Sequence, residues 1–493
     1  MEVQQAQQSF RLSKRPLPDN QKISFFEWAG MHLFRSIFQM NTTVAKPTKS
    51  WIKIGAKFLP FADVASDTLP LSRLLRLSLF QISVGMALAM LIGTLNRVMI
   101  VELHVPASLV AVMVSLPLLF APFRALIGFR SDHHRSHLGW RRVPYIWMGT
   151  LLQFGGFAIM PFALLVLGGL GQASHAPAWV GHLGAGMAFL LVGAGLHTTQ
   201  TVGLALATDL APAQDRPKVV GLMYVMLLVG IIFSSMVFGH VLEDFTPGTL
   251  IRTVQAAAVM TIGLNVIALW KQESRSRDRP PGVYEEDPDF LSSFKMFCSG
   301  DNAMRRLWAI GLGTLAFTME DILLEPFGGE ILGLSVAQTT YLTAFLAMGG
   351  LVGFAWASHV LSKGADPFKM ASRGAMVGIP AFCAVIFSAP QASLPMFTIG
   401  VVFIGLGAGL FGHGTLTATM NSAPPGQAGL ALGAWGAVQA SAAGVGMALG
   451  GIFRDIAAQF TTSANAYAIV YSLEIVLLIL TIVIMIPLVK TKP

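Results

Sequence analysis

Charge is scarce in this sequence: Asp, Glu, Lys and Arg make up 12% of its 493 residues, where a soluble globular chain carries about 25%. That shortage excludes a domain that folds by itself in water. Cysteine is scarcer still, and Cys298 and Cys383 fall in a polar loop and an apolar run, so they make neither a disulfide framework nor a metal site. Gly-x-Ser-x-Gly, a Walker loop, a Rossmann fingerprint and His-Glu-x-x-His are all missing, which argues against an ATP-driven pump and against a conventional enzyme. No basic run is interleaved with aromatics, so the net charge of +8 points away from nucleic acid and toward membrane topology. The first 23 residues lack the apolar run and small-residue cleavage site of a signal peptide, and insertion is expected to begin at an internal helix.

What the chain does have is apolar length: 54% hydrophobic residues, with 50 Gly and 24 Met. Glycine lets membrane helices approach closely, and Met fills irregular gaps. A hydrocarbon core about 30 Å thick needs about 20 apolar residues at 1.5 Å each. That ruler predicts twelve spans, at 74–102, 107–130, 142–170, 180–209, 218–242, 250–270, 305–327, 336–361, 371–389, 392–421, 427–455 and 465–489. With both termini cytoplasmic, thirty of the 33 basic residues lie inside and only Arg97, Arg252 and Arg454 toward the outside, so the positive-inside bias selects that orientation in a bacterial inner membrane. Ahead of the spans, 25–38 and 51–61 mix Trp, Phe and Leu with Lys, Arg and His and read as amphipathic helices lying on the lipid surface.

The organisation expected is an all-α polytopic protein: an interfacial extension at 1–73, a six-helix bundle at 74–271, a charged, Pro-rich cytoplasmic loop at 272–304 and a second bundle at 305–493. The halves repeat. Gly193-Ala194-Gly195-Leu196 returns as Gly407-Ala408-Gly409-Leu410, and Ala211-Pro212 and Gly221 return as Ala423-Pro424 and Gly433. Matches at corresponding topological positions imply duplicated halves of the major facilitator kind.

Candidate functional residues follow from polar groups placed where lipid makes them costly. Glu320, Asp321 and Glu325 lie in span seven, the first two roughly 21 to 22 Å in from Arg306, and an acid at that depth is a functional hypothesis by default. Aligning Leu103 with Leu332 places Arg97 beside Glu325, so Arg97, Asp321 and Glu325 are expected to form an interhelical charge cluster. His197, twelve residues before Asp209 and hence about 18 Å from the cytoplasmic end, offers a neutral imidazole suited to the magnesium of a chlorophyll, or to a hydrogen bond with a neighbouring helix. Gln200 lies one turn below it, and His413 holds a similar place in span ten. Asp132, Arg141, Arg142 and Asp209 form a candidate cytoplasmic latch, within a loop similar to the facilitator signature Gly-x-x-x-Asp-(Arg/Lys)-x-Gly-(Arg/Lys)-(Arg/Lys). His133, His134 and His137 have no fourth ligand nearby and read as a solvated cluster rather than a metal site.

Several segments are more specific. Thr94 to Glu102, Leu138 to Trp147, Thr208 to Pro212, Asp321 to Glu330 and Gly429 to Gln439 together resemble the bacteriochlorophyll delivery family of the major facilitator superfamily, the PucC and LhaA proteins of purple bacteria. Residues 61–66 and 130–147 resemble the LhaA branch, associated with light-harvesting complex 1, more than the PucC branch. The resemblance covers about residues 60 to 490. It implies an assembly factor that binds bacteriochlorophyll transiently and delivers it to nascent light-harvesting 1 α and β polypeptides in the photosynthetic intracytoplasmic membrane; the candidate pigment-binding residues, taken from their placement in the spans, are His197, Gln200, His413, Glu320 and Asp321. Chlorophyll synthase, other assembly proteins and membrane lipid are further implied partners. Glu320 departs from the Gln expected in relatives, and His413 from a small residue. From the residues alone, a proton-coupled secondary transporter using Asp321 and Glu325 is as good a reading, and a pigment-free scaffold for antenna helices is a third.

Overall fold

The structure is a computed structural model that describes residues 70–120, 124, 127, 131, 140–169, 177–212, 216–273, 302–421 and 428–489. The amphipathic segments expected at 25–38 and 51–61, Asp132, the three histidines that follow it and most of the central loop lie outside the described residues. In lipid every backbone polar group must be satisfied within its own segment, which leaves helices as the solution for long apolar runs. The described helices are α1 (Leu71–Glu102), α2 (Ala107–Leu118), α3 (Val143–Leu167), α4 (Ala178–Leu210), α5 (Arg216–Val241) and α6 (Pro247–Leu269), then α7 (Ala303–Glu330), α8 (Val336–Leu361), α9 (Pro367–Ser388), α10 (Leu394–Asn421), α11 (Ala428–Ala458) and α12 (Ser463–Met485). Their described ends fall within four residues of the predicted spans, α2 being followed only in part.

Short polar caps set the starts. Thr246 accepts from the Thr249 backbone N–H ahead of Pro247. Asp366 does the same for Lys369 at 2.7 Å ahead of Pro367. Ser335 and Gln338 form a reciprocal capping box on α8. Each satisfies donors that a helix N-terminus otherwise leaves open.

Helix pairing shows the duplication directly. In the first half α3 packs on α4 and α6, and α1 on α5 and α6; in the second α9 packs on α10 and α12, and α7 on α11 and α12. The halves meet through α5 against α8 and α2 against α11, two contacts that exchange when the halves exchange. Close glycine approaches fix the register between halves. A Cβ at Gly195 would lie 2.5 Å from both Gly149 O and Gln153 N of α3, and one at Gly407 2.8 Å from Gly374 O and 3.2 Å from Gly378 N of α9. Gly193 meets Pro117 beyond α2's middle turns, and Gly405 meets Leu346 O of α8. Gly193 and Gly195 therefore correspond to Gly405 and Gly407, two residues earlier than the sequence match suggests, and in step with Ala211-Pro212 and Ala423-Pro424. In this register His413 is the equivalent of Thr201, one turn past the equivalent of His197.

The first helix of each half is irregular. α1 is wound as a π-helix over Ala89–Leu95 and again over Val98–Glu102. α7 is not the continuous span expected: it stops at Ala316, passes through a 3₁₀ turn at Glu320–Ile322 and resumes at Leu324–Glu330. Irregular backbone at membrane depth persists only where it is buried in protein or faces a cavity, and here other helices cover it.

Candidate functional site

The break in α7 organises a buried polar group. Its free carbonyl at Ile322 accepts from the Asn96 side-chain amide of α1 at 3.0 Å, so one half satisfies a backbone group of the other. Glu320 and Glu325 are buried, and Glu325 accepts from the Thr343 hydroxyl of α8 at 2.8 Å. Glu474 of α12 lies within electrostatic reach of Glu320 and Asp321. Glu474 is fully buried, and neither of its carboxyl oxygens has a hydrogen-bond partner; nor has the hydroxyl of Tyr471 one turn away.

Arg97 does not close this cluster. Its guanidinium pairs with Glu102 and donates to Leu334 O at 3.1 Å, and it lies against Gly329, one turn beyond the expected register. The expected Arg97–Asp321–Glu325 cluster is therefore corrected to an Arg97–Glu102 pair beside, but separate from, the acids. The reason is the π-winding. Residues five apart come into line where the backbone bonds run from i to i+5, and Arg97 and Glu102 are five apart at the two ends of the second π segment.

A second group lies in the first half. His197 is 8% exposed, and among the described residues its Nδ1 has no hydrogen-bond partner. One turn on, Gln200 Oε1 and Thr201 Oγ1 each accept from the guanidinium of Arg124, at 2.9 Å. Tyr224 of α5 is within the field of the same charge. His413 is elsewhere, half-buried, its ring 4.2 Å from that of Phe354 between centroids. The structure thus brings His197 and Gln200 together but keeps His413, Glu320 and Asp321 in the other half.

The basic end of the bundle carries the latch. Asp209, at the end of α4, accepts from Arg141 and, at 3.0 Å, from Arg142 Nε, while Arg142 Nη1 donates to Ser131 at 2.6 Å. Glu273, beyond α6, accepts from the backbone N–H groups of Arg141, Arg142 and Val143 at 2.8 to 3.1 Å. Three donors at the start of α3 thus share one carboxylate, where the helix dipole also favours negative charge. At the far end Arg454 of α11 bonds Glu330 at 2.5 Å and Asp455 at 3.0 Å, and Asp455 caps α2 through the Ser108 N–H at 2.6 Å.

Sequence reasoning missed Glu474, Arg124, Glu273 and Asn96. A lone acid inside the apolar run of α12 was signal enough for Glu474. Glu273 and Asn96 had none, because each acts on backbone groups far away in the chain. Among the described residues no group of three or more His, Cys, Asp or Glu is placed to hold a metal ion.

Relatives agree with this architecture. The protein named PucC of Rhodovulum sulfidophilum is 66% identical over 404 residues, 82% of this chain and 89% of its own. PucC of Cereibacter sphaeroides is 56% identical over 448 residues, 89% of this chain and 97% of its own. Both carry the PucC name, and neither distinguishes the LhaA branch expected from 61–66 and 130–147. Among solved structures the nucleoside transporter NupG superposes with a TM-score of 0.62 over 85% of this chain and all of its own, at 14% identity, which shows the fold to be of the major facilitator transporter type. The description "PUCC protein" matches residues 94–493, and a chain matched over that length by the family and over more than four fifths of it by such relatives is a multi-pass membrane protein that belongs to the PUCC protein family.

Proposed function

We propose that this protein is an assembly factor that binds bacteriochlorophyll and hands it to nascent light-harvesting α and β polypeptides, those of light-harvesting complex 1 first among them, in the photosynthetic inner membrane. The observation that carries the reading is the His197 imidazole, buried at mid-helix with its Nδ1 lacking any partner among the described residues. A buried nitrogen lone pair or N–H is costly to leave unmade, and holding the magnesium of a tetrapyrrole through a ring nitrogen of His197 would answer that cost. The residues fit the group: His197 would hold it and Gln200 would border it. The pigment, when bound, supplies light absorption and needs no chemistry from the protein, so the reading assigns no catalysis. What the chain contributes is burial, which keeps an apolar ring out of water, and lipid-facing helices against which single-span antenna polypeptides can lie. Chlorophyll synthase and other assembly proteins are the expected suppliers of pigment.

The buried acids at the α7 break favour a second reading, a proton-coupled transporter, because transporters place such groups at broken helices. Absorbance separates the two. Protein purified away from antenna should carry a bacteriochlorophyll band, and His197→Leu should lower it while protein yield stays the same. A colourless wild-type protein, or pigment content untouched by the substitution, would sink the assembly reading and leave the transporter.

A further inference from the structure

At the basic end of the bundle the start of α3 and the end of α6 border a half-open cleft of about 510 Å³. Three indoles line it, those of Trp140, Trp147 and Trp270, together with Val266 and Leu269 of α6. The volume falls within the range of about 300–1,000 Å³ that organic ligands occupy, far more than an ion needs. Trp147 is 37% exposed and Trp270 52%, so the cleft opens on the surface of the bundle. Two turns before Trp270, on the same face of α6, a Cβ at Gly263 would meet nothing within 4 Å, and the apolar surface therefore runs on into the membrane unobstructed. The segment that follows Trp270 is tied down at two points. Gln272 is buried: Arg73 of α1 donates to its Oε1 at 3.1 Å and to its carbonyl at 2.9 Å, and its Nε2 donates to Arg73 O at 3.3 Å. Glu273 also lines the cleft, but both its oxygens accept from the backbone N–H groups at the start of α3. Between these anchors Lys271 lines the cleft with a φ of 53°, a left-handed backbone uncommon for a residue with a side chain. Lys271 is exposed, and among the described residues it forms no ion pair with a carboxylate.

We propose that this cleft holds an anionic phospholipid, its phosphate on Lys271 and the upper part of its chains against Trp147, Trp270 and the open face at Gly263. The inference stands apart from the pigment reading. Indoles favour the headgroup level of a bilayer, and basic groups between helix ends at the bilayer surface recognise anionic headgroups. The cleft supplies both at one level. A zwitterionic headgroup brings its own cation to the phosphate and gains less from the ammonium. A partner helix, about 10–12 Å across with its side chains, is too large to seat in this volume, whereas a headgroup and the tops of its chains are not.

The test uses the full chain in detergent micelles, titrated with phosphatidylglycerol brominated near the top of its chains and, separately, with phosphatidylcholine brominated in the same way. Bromine quenches indole fluorescence on contact. The share of the signal that belongs to the cleft is the difference between the wild type and a variant carrying Trp140→Phe, Trp147→Phe and Trp270→Phe. One Lys beside an anionic lipid surface is equivalent to ~1 kcal/mol, so half-quenching of the cleft signal should need an about fivefold lower mole fraction of phosphatidylglycerol than of phosphatidylcholine. Lys271→Asn, chosen because Asn tolerates the left-handed backbone, should bring the two lipids to the same mole fraction. Lys271→Arg should keep the preference, which separates loss of charge from loss of fold. Equal quenching of the wild type by both lipids, a preference that survives Lys271→Asn, or cleft indoles that neither lipid reaches would overturn the assignment. Displacement of the lipid by glycerol phosphate or by a soluble acidic peptide at equal concentration would show a site for the charge alone and overturn it as well.

Discussion

Replacing Glu273 by Gln is a sharper test of the basic-end latch than replacing it by Ala. The carboxylate accepts from Arg141 and Arg142 through Oε1 and from Arg142 and Val143 through Oε2. Gln is nearly the same size and keeps one acceptor oxygen, so a purely steric role would survive it. Its amide nitrogen, however, must face either Val143 N–H or Arg141 N–H, and both are donors. Losing a neutral N-cap costs about 1 kcal/mol, and a hydrogen bond to a charged group contributes about 1.5–3 kcal/mol. For a half-buried carboxylate on three donors, Glu273→Ala should cost about 2–4 kcal/mol, and Glu273→Gln about as much. The assay is equilibrium unfolding in mixed micelles of increasing SDS content, followed by circular dichroism. Equal stability of wild type and Glu273→Gln would refute the reasoning, because it would mean that water satisfies the start of α3 as well as the carboxylate does. Asp209 binds the side chain of Arg142 and Glu273 its backbone N–H, so the effect of Asp209→Ala should not add to that of Glu273→Ala.

The same assay checks the other expectations. Glu102→Gln leaves the buried Arg97 charge with only neutral oxygens, whereas Arg97→Met leaves a Glu102 that is already 39% exposed, so the first should cost more and the two should be strongly coupled. Arg97→Met and Asp321→Asn should add within about 0.5 kcal/mol; a coupling well above that would restore the cluster the sequence suggested. Gly405→Ala would place its Cβ 2.0 Å from Leu346 O, with backbone on both sides of the contact, and should destabilise by about 1–3 kcal/mol or more through separation of α8 and α10; wild-type stability would mean the helices part freely. Glu474→Leu removes a buried acid whose oxygens have no partners, so stability should hold or rise while antenna assembly in cells falls. Unchanged assembly would make Glu474 dispensable to function.

The spans were legible because lipid imposes a length on every apolar run, and the twelve helices begin and end close to where hydropathy and polar caps put them. The register of the repeat was half legible. Residues 405–410 read Gly-Leu-Gly-Ala-Gly-Leu, which offers two alignments to Gly193–Leu196; residue identity favours the later one, but packing against α8 and α9 selects the earlier. Arg97 was legible as a buried charge and not as half of a pair with Glu102, because the i, i+4 habit of α-helices gives no reason to look five residues ahead. The break in α7 was invisible to hydropathy, which counts apolar residues and does not see whether their backbone bonds to itself. His197 stood out by composition, whereas Arg124 did not, since its partners Gln200 and Thr201 lie 76 and 77 residues away in the chain.

The Asn96 amide on the Ile322 carbonyl has a consequence for how the duplicated halves can be rearranged. Major facilitator halves descend from one unit, and a pair of identical units would have to make every contact twice. With Leu103 set against Leu332, the counterpart of Asn96 is Glu325, an acceptor already engaged by Thr343, and it has no amide to offer in return. Two copies of the first half would therefore bring two amides to unbroken helices, and two copies of the second would hold two broken helices with nothing to close them. The bond is therefore made once and not twice, and at this contact the two halves are complements: the first supplies the donor and the second the open carbonyl.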